Sequence, residues 1–594
     1  MGVWKLMIIT AKTEIDIGRE FKVEAGPGAG KTEFLVNHIK RVLQNAHNLD
    51  STRKVACITY TNTAVEIILK RLGKSVSNRV EVSTIHSFLY RNVVKPYCSF
   101  ISEEYKLCCS KVKGHDEFSI NNNYIRDWFE NEDFSGLKHP NTQNQLLSLP
   151  ALNKALQNWL LSNKCIIDQD NVSFICDNTK AIGYDKKSKK YIGINIRNLN
   201  ILSGKLLELK KIYWQKGKLD HNDVLFFSYI LIKKYPFIIT VLSAKFAYLF
   251  VDEYQDTNPI QSFVIDEIRK KNQSIVGVIG DRAQSIYNFQ GAEPSLFTAF
   301  KANRDNLYTI VENHRSSNQI VKFLNGIRSD IEQKPCENID DIEVVVYVGN
   351  KNMAYREVCE TCAVETVVSL SRDNITSNAM KREMEETHLN KKLVEEYMEQ
   401  DSNGERKRYI LAFIQAIELA NNSKYKDAIK NIVWIFRDES QPKKNALYSL
   451  VKMLKVYKNY CDGTLMNFYN LICTTLNANL SGFRNGAAKT FYDTTSYKNL
   501  AVCVNIIEDT SNHITIHKSK GAEYQNVLVI GNEKLEELLI KPDLLNNEEH
   551  RILYVAMSRA KEKLFLQLDS LSVDGEKRLL NKYNYLDVKR LETL

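Results

Sequence analysis

At 594 residues, 44% hydrophobic and 26% charged, the chain has the composition of an ordinary globular protein and material for about four domains of ~150 residues. Its net charge of +10 and pI near 8.8 favour a polyanionic partner, as a mild excess over this length. No apolar run reaches bilayer-spanning length, and Met1–Leu6 opens neither a signal peptide nor a myristoylation site, since position 6 is not Ser or Thr; no membrane partner and a cytoplasmic location are expected.

The first strand-like run, Phe21-Lys22-Val23, leads into Ala25-Gly26-Pro27-Gly28-Ala29-Gly30-Lys31-Thr32, and Glu33 to Lys40 follows at helical spacing. This strand–glycine turn–helix order is the context of a phosphate-binding P-loop. Gly26, Gly28 and Gly30, with Ala25 and Ala29, let successive N–H groups turn onto an anion, and the helix N-terminus adds its positive end. Lys31 supplies a charge for the β and γ phosphates and Thr32 a hydroxyl ligand for Mg²⁺.

Lys54–Ile58 reads as a buried strand ending in Thr59-Tyr60-Thr61-Asn62-Thr63-Ala64, and the run from Val65 to Leu72 as a helix. Arg79–Val82 is a further strand, ending in Ser83-Thr84-Ile85-His86-Ser87-Phe88. Alternating strands and helices predict a parallel sheet with its ligands at the strands' carboxyl ends, where both polar-aromatic clusters fall. From about 97 to 215 the rhythm breaks into a polar insert with Asn121-Asn122-Asn123 and a hairpin over Ile182–Ile192, whose four tip lysines could grip a duplex backbone but read better as a solvated turn.

Phe246–Val251 then runs into Asp252-Glu253-Tyr254-Gln255-Asp256. An apolar strand ending in paired acids suits metal-assisted phosphoryl transfer, one acid holding Mg²⁺ through its water shell and the next taking a proton from attacking water. Ser274–Ile279 leads into Gly280–Ala292, where Gln284 can sense a γ-phosphate and the neighbouring aromatics can stack on bases. Leu307–Ile310, Ile342–Val348, Thr366–Leu370, His513–Ile516 and Val527–Ile530 trace the strands of a second motor half, interrupted by a Lys/Glu-rich helical insert between about 385 and 505. The twelve cysteines are scattered, and Cys359 and Cys362 read as two thiols on one helix face rather than a zinc site.

These motifs, with Val311-Glu312-Asn313-His314-Arg315-Ser316, Thr515 to Tyr524 and Tyr554 to Lys561, resemble in order and wording the UvrD/Rep/PcrA-type superfamily 1 DNA helicases. The resemblance implies an α/β fold of two RecA-like P-loop motor domains with parallel sheets, each carrying a largely helical accessory insert. The expected boundaries are 1–96, 216–300 (first motor), 97–215 (first insert), 301–384, 506–594 (second motor) and 385–505 (second insert). It implies ATP and Mg²⁺ as cofactors, with Lys31 and Thr32 on phosphate and metal, Asp252 positioning the metal and Glu253 activating water. Gln284, Arg315 and Arg559 would contact the γ-phosphate, both arginines coming from the second motor domain, and Glu523 would touch the nucleotide sugar. Tyr60, Thr84, His86, Tyr287, Phe289, Thr515 and His517 match positions facing single-stranded DNA.

Three departures stand out. Met1–Glu24 contains no Gln to read adenine, so preference for ATP is inherited from the resemblance; Phe289-Gln290 stands where the family commonly has Trp-Arg; and Ala522 replaces a leucine. With roughly thirty residues after the last motif, no fused nuclease domain is expected. The implied activity is ATP-driven 3′-to-5′ translocation and unwinding on single strands, DNA ends or junctions, as in a housekeeping repair helicase. The alternative is a DNA-sensing ATPase subunit controlling a nuclease, similar to the helicase-like subunits of Gabija anti-phage systems, which associate with an OLD-family nuclease-ATPase.

Overall fold

The computed structural model describes residues 7–49, 52–73, 78–115, 122–137, 141–168, 170–185, 190–302, 306–336, 339–363, 365–381, 393–421, 424–504 and 511–591. They form two compact units: Met1–Arg315 with Arg328–Glu337 and Leu544–Arg551, and Ser316–Ile327 with Asn338–Asp543 and Ile552–Leu594.

The first unit is built on a seven-stranded parallel sheet in the order Met7–Ile9, Leu307–Ile310, Phe21–Ala25, Ile275–Gly280, Phe246–Val251, Lys54–Thr59, Val80–Thr84. Its central strands are apolar on both faces, because a parallel sheet is covered on both sides. Alternation divides them between two cores: Ala56, Ile58, Leu249, Val251, Val276 and Val278 enter one, and Val55, Cys57, Tyr248, Phe250 and Ile279 the other. The second core receives the helix Lys31–Asn45 through Phe34, Leu35, Ile39 and Val42. Gly277 is required at the sheet centre, since a Cβ there would stand 2.3 Å from the Phe21 ring.

The first core is continuous with the insert, whose helices Asn122–Asn131, Pro150–Leu161 and Leu206–Trp214 contribute Trp128, Trp159 and Trp214. The insert also holds two antiparallel hairpins, one of them pairing Ile182–Asp185 with Lys190–Gly193. Of its expected tip lysines, Lys186, Lys187 and Lys189 lie outside the described residues, as does Asn121.

The second unit has a six-stranded parallel sheet in the order His513–Thr515, Val367–Ser371, Tyr524–Ile530, Ala560–Leu568, Val345–Val348, Asp587–Arg590. Its insert is helical, with a separate core around Phe413, Ile417, Phe468, Tyr492 and Tyr497. A buried Arg406–Asp401 pair at 2.7 Å and the Tyr492 hydroxyl, donating to Asp401 at 2.9 Å, are among its internal polar contacts. The expected insert borders at 385 and 505 fall outside the described residues.

One expected strand changes sheet. Leu307–Ile310, read as the opening of the second motor half, instead pairs with Phe21–Ala25 and Met7–Ile9 in the first sheet. A short apolar strand reports burial but not which sheet buries it. Among the described residues no single helix is long and apolar enough to cross a membrane. The apolar pair His221–Lys234 and Phe237–Lys245 is bent by 107° and fills the first unit's core.

Candidate active site

In the first unit the motifs converge at the carboxyl ends of the parallel strands. Phe21–Ala25 ends in a loop whose Gly28 and Gly30 have φ of +69° and +79°, left-handed values that favour glycine. A Cβ at Gly28 would lie 2.5 Å from Asn313 Oδ1 and 2.7 Å from the Arg315 Cβ, and one at Gly26 2.5 Å from Gln333 Nε2. Gln333 donates to the Pro27 carbonyl at 2.8 Å, and the His314 N–H donates to the Gly28 carbonyl at 2.9 Å. The loop is therefore fixed from outside by the short strands Glu312–Asn313 and Lys334–Pro335, which pair in parallel.

Gly30 caps the helix Lys31–Asn45 without a side-chain bond, so the first turn's N–H groups face the cradle. The Lys31 ammonium donates to the Ala25 and Gly26 carbonyls, each at 3.2 Å. Burial lowers its pKa, opposed by the charges of Glu253, Asp281 and Asp252. A cation surrounded by three carboxylates beside unclaimed helix amides fits a triphosphate with its metal, and Thr32 and Asp252 are the oxygen donors at hand.

Asp252 and Glu253 follow strand Phe246–Val251, and Glu253 adopts φ +54°, ψ +40°. A non-glycine residue held in the left-handed region costs about 1–3 kcal/mol, a strain that concentrates at functional sites. A hydrogen-bond chain runs from it: Gln255 Nε2 donates to Glu253 Oε2 at 2.5 Å, the Asp281 N–H to Gln255 Oε1 at 2.9 Å, and Gln284 Nε2 to Asp281 Oδ2 at 2.6 Å. Arg328 grips both Asp281 oxygens, at 2.9 and 2.8 Å. Burial penalises the Asp281 charge, but Arg328, Lys31 and these bonds outweigh it and hold the carboxyl below the usual range.

The same loop carries aromatic rings. Tyr287 stacks on Tyr60 with centroids 4.5 Å apart and planes at 24°, and Phe289, 52% exposed, lies 5.9 Å from Tyr287. The Tyr60 hydroxyl donates to Gln290 Oε1. Gln290, the departure from Trp-Arg, thus accepts a bond that an arginine could not. A small cavity lined by Thr59, Tyr60, Asp252, Glu253, Thr257 and Gln261 joins the acid pair to this stack.

Thr84 caps the short helix Ile85–Leu89, accepting from the Ser87 N–H at 3.4 Å. His86 is half-buried, stacked on His221 at 4.6 Å, with His115 a further 5.2 Å from His221. Burial first, then His221 and His115, push its pKa down to about 3, so it presents a neutral imidazole.

The second unit holds its motif residues separately. Arg559 is 2% exposed and donates to the Val555 carbonyl at 3.1 Å, the Ala522 carbonyl at 3.4 Å and Ser558 Oγ at 2.9 Å. Because the contact to Ala522 is to backbone, replacement of the family leucine leaves it intact. Glu523 pairs with Lys561 at 3.3 Å. Thr515 is buried at the end of strand His513–Thr515, and His517 is half-buried in the following turn.

Arg315 departs from expectation. The resemblance places it in the second motor domain, but it clusters with the P-loop unit, because the strand before it joins the first sheet. Gln255, Asp281, Asn313, Arg328 and Gln333 also belong to this site, though no sequence feature singles them out. Three of these lie inside the quoted motifs, whereas Arg328 and Gln333 sit in an unpatterned segment with no local signal.

Residues 10–305 match the UvrD/REP helicase N-terminal domain and residues 364–570 the UvrD-like helicase C-terminal domain. The Gabija protein GajB of Bacillus cereus (strain HuB5-5) is 28% identical over 353 residues, covering 54% of this chain and 48% of that protein. The ATP-dependent DNA helicase Rep of Buchnera aphidicola subsp. Baizongia pistaciae (strain Bp) is 27% identical over 338 residues, covering 55% and 44%. These two matches span about half the length of the relatives. The ATP-dependent DNA helicase PcrA of Staphylococcus aureus (strain Mu50) is 23% identical over 625 residues, covering 92% of this chain and 80% of PcrA. With both helicase domain models matched in order, the chain belongs to the UvrD/Rep helicase family.

Proposed function

We propose that the chain is an ATP-dependent DNA helicase that translocates 3′ to 5′ on single strands. The observation that carries this reading is the hydrogen-bond chain in the first unit from Glu253 through Gln255 and Asp281 to Gln284, beside Lys31 at one end and three residues before Tyr287 of the Tyr287–Tyr60 stack at the other.

Bound Mg-ATP supplies the electrophilic phosphorus. Lys31 and the loop amides of Ala25–Gly30 orient the phosphates, and Thr32 and Asp252 are the metal's oxygen donors. Glu253 takes the proton of the attacking water, its carboxylate oriented by Gln255. In the first unit Gln284 hydrogen-bonds the γ-phosphoryl oxygens and Arg315 neutralises charge developing on them; in the second, Arg559 is the candidate for that charge and Glu523 for the sugar. Since Gln284 and Tyr287 are three residues apart, a shift at the phosphate side moves the ring that stacks on a base. Tyr60, Phe289, Thr84, His86, Thr515 and His517 complete the single-strand path. Stacking accepts any base, as a translocating motor requires.

Similarity to a Gabija protein favours a second reading, a DNA-sensing ATPase that detects ends or junctions and controls a nuclease partner, such as an OLD-family nuclease-ATPase, in anti-phage defence. ATP hydrolysis with and without single-stranded DNA, alongside unwinding of 3′- and 5′-tailed duplexes, separates the two. DNA-stimulated turnover with unwinding of the 3′-tailed substrate alone supports the helicase; DNA-stimulated turnover without unwinding supports the sensor. Turnover indifferent to DNA sinks both.

A further inference from the structure

The second unit's insert carries an exposed apolar stripe along one helix. Helix Pro442–Lys455 buries Ala446, Leu450 and Met453 in the insert core. On its outer side Lys444, Leu447, Tyr448, Val451 and Lys455 follow one another at helical spacing. The three apolar members are 44%, 63% and 39% exposed. Single exposed apolar side chains are ordinary, but here they occupy successive turns of one stripe. The turn Val433–Phe436, packed against this helix, adds Trp434 at 42% exposure. The stripe is framed by cations: between Lys424 and Lys458 nine basic residues face three acidic ones, a net +6 against +10 for the whole chain. No acid occurs on Pro442–Lys455, and Lys452 Nζ lies 4.7 Å from the Tyr448 ring centroid.

We propose that this face docks a partner protein whose complementary surface is apolar at its centre and acidic at its rim. Tyr448 and Trp434 are the residue types that anchor interfaces, and Leu447 and Val451 gain free energy only by leaving water against apolar groups. The lysines attract an acidic partner and fix its register. A nucleic-acid backbone matches the charge but leaves Leu447 and Val451 with nothing aliphatic to bury them. The helix does not need these side chains for its own packing, since its inner residues already fill the core. The proposal goes beyond the helicase reading and does not depend on it.

The test uses the full chain and fluorescently labelled synthetic amphipathic helical peptides carrying Leu and Trp on one face and Glu on the flanks. Controls are a scrambled peptide, a Lys-for-Glu peptide and duplex DNA. The acidic peptide is expected to bind, the two control peptides not to. Leu447→Ser with Val451→Ser should weaken its binding at least about tenfold, and Lys444→Ser with Lys455→Ser should weaken it by a smaller factor that disappears at high salt. Both variants should keep the parent's melting temperature and DNA-stimulated hydrolysis. Unchanged peptide affinity in both variants, or loss of duplex affinity in place of peptide affinity, overturns the proposal. So does a dimer in sedimentation that the substitutions disperse, which would make the occupant a second copy of this chain.

Discussion

The two units hold their helicase-motif residues in different ways. In the first, Glu253, Gln255, Asp281, Gln284 and Arg328 are bonded to one another in an unbroken chain, so the position of each polar group is set by the next. In the second, Arg559 is bonded to the carbonyls of Val555 and Ala522 and to Ser558, and Glu523 is paired with Lys561, contacts that tie together the starts of the neighbouring strands Tyr524–Ile530 and Ala560–Leu568. The difference teaches where preorganisation resides. The half that carries the cradle and the acid pair joins its groups side chain to side chain, and the half that carries Arg559 seats that guanidinium on the Val555 and Ala522 carbonyls and Ser558.

The sharpest way to break this comparison is to remove a member of the network that touches the reaction. Glu253→Gln keeps the size and the left-handed turn but cannot accept a proton. Turnover with single-stranded DNA should fall about 10²–10⁴-fold while nucleotide affinity stays within a few-fold. Rapid-quench hydrolysis and nucleotide titration check it; a small loss would show that another base serves. Arg559→Lys in the other unit should lower turnover as well, because a lysine cannot reproduce the planar fork, but without disturbing the melting of the first unit.

A second large effect should be structural. Arg328→Met strips the cation that grips both oxygens of a fully buried Asp281 and should destabilise the first unit by about 3–5 kcal/mol. Adding Asp281→Asn removes the orphaned charge, so the double variant should be more stable than Arg328→Met alone. Denaturant melts of the four proteins decide it, and strict additivity would mean the pair is not coupled in the way its geometry indicates.

On the DNA side, Tyr287→Ala should weaken single-strand binding by about 1–3 kcal/mol, the worth of one stacked base, with hydrolysis in the absence of DNA little changed. Fluorescence titration with an oligothymidine measures it. A drop in DNA-free hydrolysis of similar size would instead place Tyr287 in the packing behind Gln284.

What was legible in the sequence follows from how local each signal is. The cradle, the acid pair and the strands before them are contiguous in the chain, and both appear in the structure where hydrophobic runs and glycine spacing put them. Leu307–Ile310 shows the limit: Leu307, Tyr308 and Ile310 specify a buried strand, but its pairing with Phe21–Ala25 is decided by residues nearly three hundred positions away. The same displacement carried Arg315 into the first unit. Arg328 and Gln333 were invisible for another reason, since a lone Arg or Gln in a loop has no pattern and acquires meaning only from the carboxylate or carbonyl it meets.

The smallest effect tests the core beneath the cradle. His38 lies on the P-loop helix with its ring 4.9 Å from Phe21, 5.9 Å from Phe34 and 5.1 Å from Phe250, and burial pushes its pKa down to about 3, with Arg41 adding to the shift. In the unfolded chain it titrates near 6.5, so between pH 6.5 and about 3 the unfolded state takes up a proton that the native state refuses. Its contribution to stability is therefore whole above pH 6.5 and is lost as pH falls, by up to about 1.4 kcal/mol per pH unit. His38→Phe removes that proton and should flatten the first unit's loss of melting temperature between neutral and mildly acid pH. An unchanged slope would assign the acid sensitivity to other buried imidazoles, with His86 in its stack on His221 the next to replace.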